Sequence, residues 1–264
     1  MLNTADGIDT VDPAGRPAEK PPSFIGLGGA SALIAIVILV ISSPAARFRL
    51  GALVPALAIL IAVHLIPFYV LGRCAAVTVE AFELFFGGAL VRWRHDGTWF
   101  SVNWFPLGGF VKFKGIDVAT GGNTEGTWHR LPRIARAAIC LSGPTALLLL
   151  ALIALGPASF REDVRETSTQ VAELAVHPAA VIKRFLAFVD SSPFRIILGA
   201  IGVKLAFVNL LPLPLVNGGQ AIVELANLHR HRRLMTYFEL ASLALILAGF
   251  IIIVYNALAV AVRG

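Results

Sequence analysis

Charge is what this sequence has least of. Only 14% of its 264 residues are Asp, Glu, Lys or Arg, while 57% are hydrophobic and the mean hydropathy is +0.78. A soluble domain carries about 25% charged and about 45–50% apolar residues, so both departures exclude an ordinary water-soluble globule. Cysteine is nearly absent. Cys74 and Cys140 cannot build a disulfide framework or a Cys-x-x-Cys metal site, and each reads as a small core residue. Six histidines are present, yet neither His-x-x-x-His nor His-Glu-x-x-His occurs, which excludes the helical two-histidine zinc motif. Residues 1–23 lack both apolar periodicity and the basic start of a signal peptide. Their four acids (Asp6, Asp9, Asp12, Glu19) outnumber Arg16 and Lys20, and a disordered polar arm is expected there.

What the chain has in quantity is long apolar runs. A membrane-crossing helix needs about 20 such residues, and five stretches qualify: Phe24–Ser43, Gly51–Leu71, Ala137–Leu155, Phe194–Leu211 and Thr236–Val262. Between the second and third, the pattern changes to the alternation of strands in Val77-Thr-Val, Trp99-Phe-Ser-Val-Asn-Trp and Phe110-Val-Lys-Phe-Lys. Asp96-Gly97 between two of these runs is a tight hairpin signal. Residues 156–193 read as a mixed-charge connector in which Ala179–Val189 forms an interfacial amphipathic helix, and a short helix is expected over Gln220–Leu228. The expected fold is therefore an all-α polytopic membrane protein of about five transmembrane helices, with a small β element after the second. Three regions follow: the arm 1–23, an extra transmembrane helix and loop over 24–50, and the membrane domain 51–264.

The net charge of +6 and pI near 9.8 would suit nucleic acid, but the basic residues sit beside the apolar runs. They read as juxtamembrane anchors, so the expected partner is the lipid bilayer and not nucleic acid. With five spans, the side holding residues 1–23, 72–136 and 213–235 carries 13 Lys and Arg, against 8 on the other side. The excess places the N-terminus and the strand-rich segment in the cytoplasm, in what reads as a bacterial cytoplasmic membrane.

Several motifs, in order, resemble the site-2 proteases, the intramembrane zinc metalloproteases of regulated intramembrane proteolysis. They are Arg73-Cys-Ala-Ala-Val-Thr-Val-Glu-Ala-Phe82, Phe86-Gly-Gly, Gly97-Thr-Trp-Phe, Phe105-Pro-Leu-Gly-Gly-Phe-Val-Lys112, Ser142-Gly-Pro144, Asn209-Leu-Leu-Pro-Leu-Pro-Leu-Val-Asn-Gly-Gly219 and Tyr255-Asn256. Together they cover roughly residues 52–260. The resemblance implies a metal site in which His-Glu-x-x-His supplies two ligands and a general base, with an Asp-Gly-Gly aspartate as the third ligand. Here the four positions read His64, Leu65, Phe68 and Asn217. One strong ligand survives, whereas a catalytic zinc needs three and an open position. Leu65 cannot accept a proton from water, so the acid–base step has no agent.

The expectation is a catalytically degenerate member of that family, with no catalytic residues, no metal and no cofactor. It would bind transmembrane or membrane-proximal segments as a regulator or assembly partner, its partners being a single-span membrane protein or an intact protease of the same family. The candidate partner-binding residues are Pro106, Leu107, Gly108, Gly109 and Phe110, where the resemblance implies a strand loop offering its edge, together with Asn209 and Lys204. An ammonium inside a span costs roughly 2.5–3.5 kcal/mol and faces a partner or cavity. Lys204 is accordingly expected beside His64 and Asn217, in the space a metal would occupy. Two alternatives stand: a divergent metalloprotease with unusual ligands and bound zinc, for instance from His64, Cys74 and Glu80, or a structural or transport-like membrane protein.

Overall fold

A computed structural model describes residues 44–116, 126–228 and 231–263. The chain divides into two units, Met1–Arg47 and Phe48–Gly264, and the second holds nearly all the described residues. The arm 1–23 and the expected span Phe24–Ser43 lie outside them.

Helix α1, Pro44–Cys74, contains the second expected span and begins seven residues before it, so residues 44–50 are helical and not a loop. It is apolar all round, as a helix between lipid and protein must be. Two long antiparallel strands follow, β1 (Val79–His95) and β2 (Thr98–Phe113). Asp96 and Gly97 join them with φ of 47° and 77°, the double left-handed geometry that an Asp-Gly hairpin turn takes. The ladder is folded over on itself. Close to the turn, Val91 pairs with Val102 and His95 with Thr98; farther away, Val79 pairs with Phe113 and Phe86 with Phe105. A break around Phe85–Gly88, where Phe85 and Gly87 have positive φ, also brings Ala81–Leu84 beside Trp99–Val102.

After a 3-10 turn at Trp128–Arg130, α2 (Arg133–Leu155) runs unbroken through Pro144. Gly156, at φ 80°, ends it and Pro157 starts α3 (Pro157–Val176), the usual pairing of a glycine stop with a proline start. Pro178 starts α4 (Pro178–Ser191) in the same way. The 156–193 connector is thus two helices, and α3 is the one that its mixed charge concealed. The remaining helices are α5 (Phe194–Asn209), α6 (Asn217–Ala226) and α7 (Arg232–Arg263); α6 starts three residues earlier than the sequence suggested.

Three described helices are long and apolar enough to cross a membrane, over Arg47–Cys74, Arg133–Leu155 and Met235–Asn256. Five spans are therefore not what the described residues show. α5 is helical where a span was expected, but its 16 residues reach only about 24 Å at 1.5 Å each, short of a core about 30 Å thick. Two apolar cores hold the helices. In one, Ala56 and Leu60 of α1 meet Leu147 of α2, Val189 of α4 and Ile197 and Ile201 of α5. In the other, Val77, Val79 and Phe113 of the β element meet Trp128, Ile139 and Cys140 of the α2 region and Ala221 of α6.

Candidate functional site

One cavity of about 540 Å³ gathers most of the candidate residues. His64, Leu65 and Phe68 line it from α1; residues three and four apart share a helical face, which is why they arrive together. Asn209 closes it from the end of α5 and Asn217 from the first turn of α6, while Gly108, Gly109 and Phe110 of β2 form its third wall.

At the centre, the rings of His64 and Phe68 lie 5.5 Å apart, tilted by 58°. The Asn217 carboxamide faces the imidazole from α6, whose Nδ1 is buried without a hydrogen-bond partner. Gly143 of α2 presses on the same group. A methyl added there would lie 2.6 Å from the His64 carbonyl oxygen, 2.7 Å from ring Cε1 and 2.5 Å from the Phe68 ring, all inside van der Waals contact. Only glycine lets α2 approach α1 this closely.

Leu65 is 6% exposed and packs under the β2 loop. A Cβ on Gly109 would sit 2.6 Å from Leu65 Cδ1 and 2.5 Å from the Glu83 carbonyl oxygen. Gly109, at φ 151°, brings its backbone onto an apolar cap where the resemblance would place a general base. On that stretch the ladder pairs Gly109 with Leu84 and Phe110 with Glu83. The opposite edge of Phe105–Phe113 has no strand partner among the described residues. Phe110 is exposed.

The polar donors on the cavity wall are His64, Cys140, Asn209, Asn217 and Gln220. Among the described residues, no three His, Cys, Asp or Glu side chains are placed to share a metal ion. The shifted set of His64, Cys74 and Glu80 is thereby not assembled, and Cys74 is exposed. One imidazole, with a thiol not grouped with it and neutral carboxamides, does not make the three-ligand site zinc requires, so the residues present do not fit that ion.

Lys204 is elsewhere. Its Nζ donates to Asp163 Oδ1 of α3 at 3.1 Å and lines a second cavity that shares no residue with the first. The expected neighbourhood with His64 and Asn217 is corrected: the sequence held no hint that α3 would fold back and offer a carboxylate. Pro106 does not line the His64 cavity either.

One group beside the site went unanticipated. Trp128 Nε1 donates to Glu224 Oε1 at 2.9 Å, and Arg136 Nη1 lies 2.8 Å from Glu224 Oε2. Arg136 and Glu224 are 6% and 5% exposed. This buried pair ties α2 to α6, the helix that carries Asn217. A lone Glu in the short apolar helix was the only trace it left in the sequence.

Comparison with known proteins gives the family. The model of Peptidase family M50 matches residues 52–254. The chain belongs to that family, the site-2 proteases. It is 30% identical over 146 residues to metalloprotease MmpA of Caulobacter vibrioides, covering 47% of this chain and 37% of MmpA. It is 33% identical over 134 residues to protease RseP of Yersinia pestis, covering 47% of this chain and 29% of RseP. A putative zinc metalloprotease of Helicobacter pylori is 41% identical over 71 residues, 27% of this chain and 20% of that protein. The matched regions thus span about a third or less of these relatives' own length. Three apolar helices and membrane-protease relatives make this an integral membrane protein of the M50 family.

Proposed function

We propose that this protein is a catalytically inert member of family M50 that holds a transmembrane or membrane-proximal segment without cutting it, as a regulator or assembly partner. The observation that carries the reading is the composition of the His64 cavity. The frame gathers the four positions of the metal site, but Leu65, Phe68 and Asn217 stand there, leaving neither a zinc ligand set nor a base for water.

Binding needs neither. The unpaired edge of Phe105–Phe113 can take up an extended peptide by strand addition, through main-chain hydrogen bonds that do not depend on a metal. Residues Pro106–Phe110 offer that edge, and the cavity behind Gly108–Phe110 would receive a side chain of the guest. The partner is a single-span membrane protein or an intact protease of the family. A domain boundary at residue 23, a cytoplasmic N-terminus and residence in a bacterial cytoplasmic membrane belong to the same proposal.

Metal analysis of the detergent-purified protein tests the central point. Zinc far below one ion per chain is expected; one tightly held ion per chain would overturn inertness and restore the divergent protease. A photo-cross-linking residue at Phe110 tests the binding half, with a single-span protein expected in the adduct.

A further inference from the structure

The second cavity, about 370 Å³, lies among α3, α4, α5 and α7, on helices that contribute nothing to the His64 cavity apart from α5. Its lining is polar in one part and apolar in another. In the polar part Asp163 and Lys204 form their ion pair, using Asp163 Oδ1 only. Asp163 Oδ2 is buried without a partner, and so is Oγ1 of Thr167, one helical turn along α3, a residue only 2% exposed. Glu166 lies on the same wall. The apolar part of the lining is made by Phe185 and Phe188 of α4, stacked with centroids 6.5 Å apart, together with Val208 and Ile253. Ile253 belongs to the apolar span Met235–Asn256, a helix whose remaining surface suits lipid.

Buried polar atoms are satisfied in nearly all native structures, by protein or by ordered water. Two orphaned oxygens on the wall of a cavity therefore specify what should lie there. A purely apolar occupant leaves both unsatisfied, and water alone wets the aromatic part. The two cations on the wall are already engaged, Lys204 by Asp163 Oδ1 and Arg184 by Glu173, so an anionic head meets the carboxylates of Asp163 and Glu166. What matches both parts is one alkyl chain with a head that donates hydrogen bonds. At about 30 Å³ per water-sized group, the volume accepts roughly 12 such groups.

We propose that this cavity is a binding site for a single-chain amphiphile with a hydroxyl or ammonium head, an ammonium donating to both Asp163 Oδ2 and Thr167 Oγ1, a hydroxyl donating to Asp163 Oδ2 while accepting from the Thr167 hydroxyl, and the chain lying along Phe185, Phe188, Val208 and Ile253. The same chemistry is shared by a free long-chain alcohol or amine and by a lipid fragment such as a sphingoid base or a monoacylglycerol. The site is independent of the inert reading of the His64 cavity and stands or falls separately.

The test uses the full chain in lipid nanodiscs, with radiolabelled decan-1-amine, decan-1-ol and decanoate counted against empty nanodiscs. Saturable uptake of one amine or alcohol per chain is expected, with decanoate at least tenfold weaker. This comparison needs no variant. Thr167→Val, which removes only the hydroxyl, should weaken alcohol binding several-fold, the value of about one hydrogen bond. Val208→Trp, which fills the apolar part, should abolish it. No uptake above empty nanodiscs, equal uptake of decanoate, or unchanged binding by folded Thr167→Val would overturn the site. If uptake holds, competition by unlabelled sphingosine or monodecanoylglycerol against unlabelled decan-1-ol decides whether the source is a lipid fragment or a free alcohol.

Discussion

At the scale of single residues, the His64 cavity brings together the residues that the family resemblance assigns to a metal site, with Leu65 and Phe68 among them. His64 and Phe68 share a helical face, and Asn217 closes on them from α6. If that frame is intact, two changes should rebuild a ligand set: Phe68→His with Asn217→Asp, leaving Leu65 in place. The double variant is expected to take up about one zinc per chain by metal analysis, while either single variant stays near background. Failure of the double variant would show that the frame has drifted from metal geometry. Gly143 makes a second residue-scale prediction. Gly143→Ala drives a methyl against a backbone oxygen and two rings, and overpacking of this kind costs about 1–3 kcal/mol. A matching drop in unfolding free energy in mixed micelles is the expected readout.

At the scale of elements, two ion pairs of opposite character join helices. The Arg136–Glu224 pair between α2 and α6 is buried, and removing one partner strands a charge. Arg136→Met is therefore expected to destabilise by about 3–5 kcal/mol, while Arg136→Met with Glu224→Gln, which removes the stranded charge and keeps an acceptor for Trp128 Nε1, recovers part of the loss; denaturant unfolding distinguishes the two. The Arg49–Asp190 pair between α1 and α4 is bidentate, at 2.8 and 2.6 Å, but its side chains are 29% and 38% exposed, which limits such a pair to about 1 kcal/mol or less. Arg49 holds the Asp190 carboxyl below the usual carboxylate range through its hydrogen bonds. With the folded value lowered, the pair's contribution is present above the unfolded pKa of about 3.9 and is lost as pH falls through the folded value. Asp190→Asn should thus leave neutral stability nearly unchanged and flatten the loss below about pH 4 in an acid titration.

For the molecule as a whole, the lipid-facing surface decides behaviour. Leu240, Leu243, Leu247, Phe250 and Ile251 of α7 are all exposed, and no helical partner covers them among the described residues. Apolar surface of this extent is compatible with hydrocarbon and not with water. The protein is expected to sediment with membranes, to resist extraction by alkaline carbonate and to enter solution only with detergent. Recovery in the carbonate supernatant would contradict a spanning arrangement.

Sequence alone determined what depends on local chemistry and on spacing along one element. The hairpin at Asp96-Gly97 was legible because few residues tolerate two successive positive φ angles. The span over Gly51–Leu71 was legible from unbroken apolarity, and the co-facing of His64 and Phe68 from the helical repeat. Only the tertiary structure decided the rest. α3 was hidden because its mixed charge breaks no local rule and shows no strong periodicity. Lys204 carries its cost in the sequence but not its partner, since Asp163 lies 41 residues away on a helix that folds back. The Trp128–Glu224–Arg136 tie and the capping of Leu65 by Gly109 are meetings between elements, fixed by how closely backbones approach. Periodicity speaks for one helix or strand at a time, whereas a site is made where several of them touch.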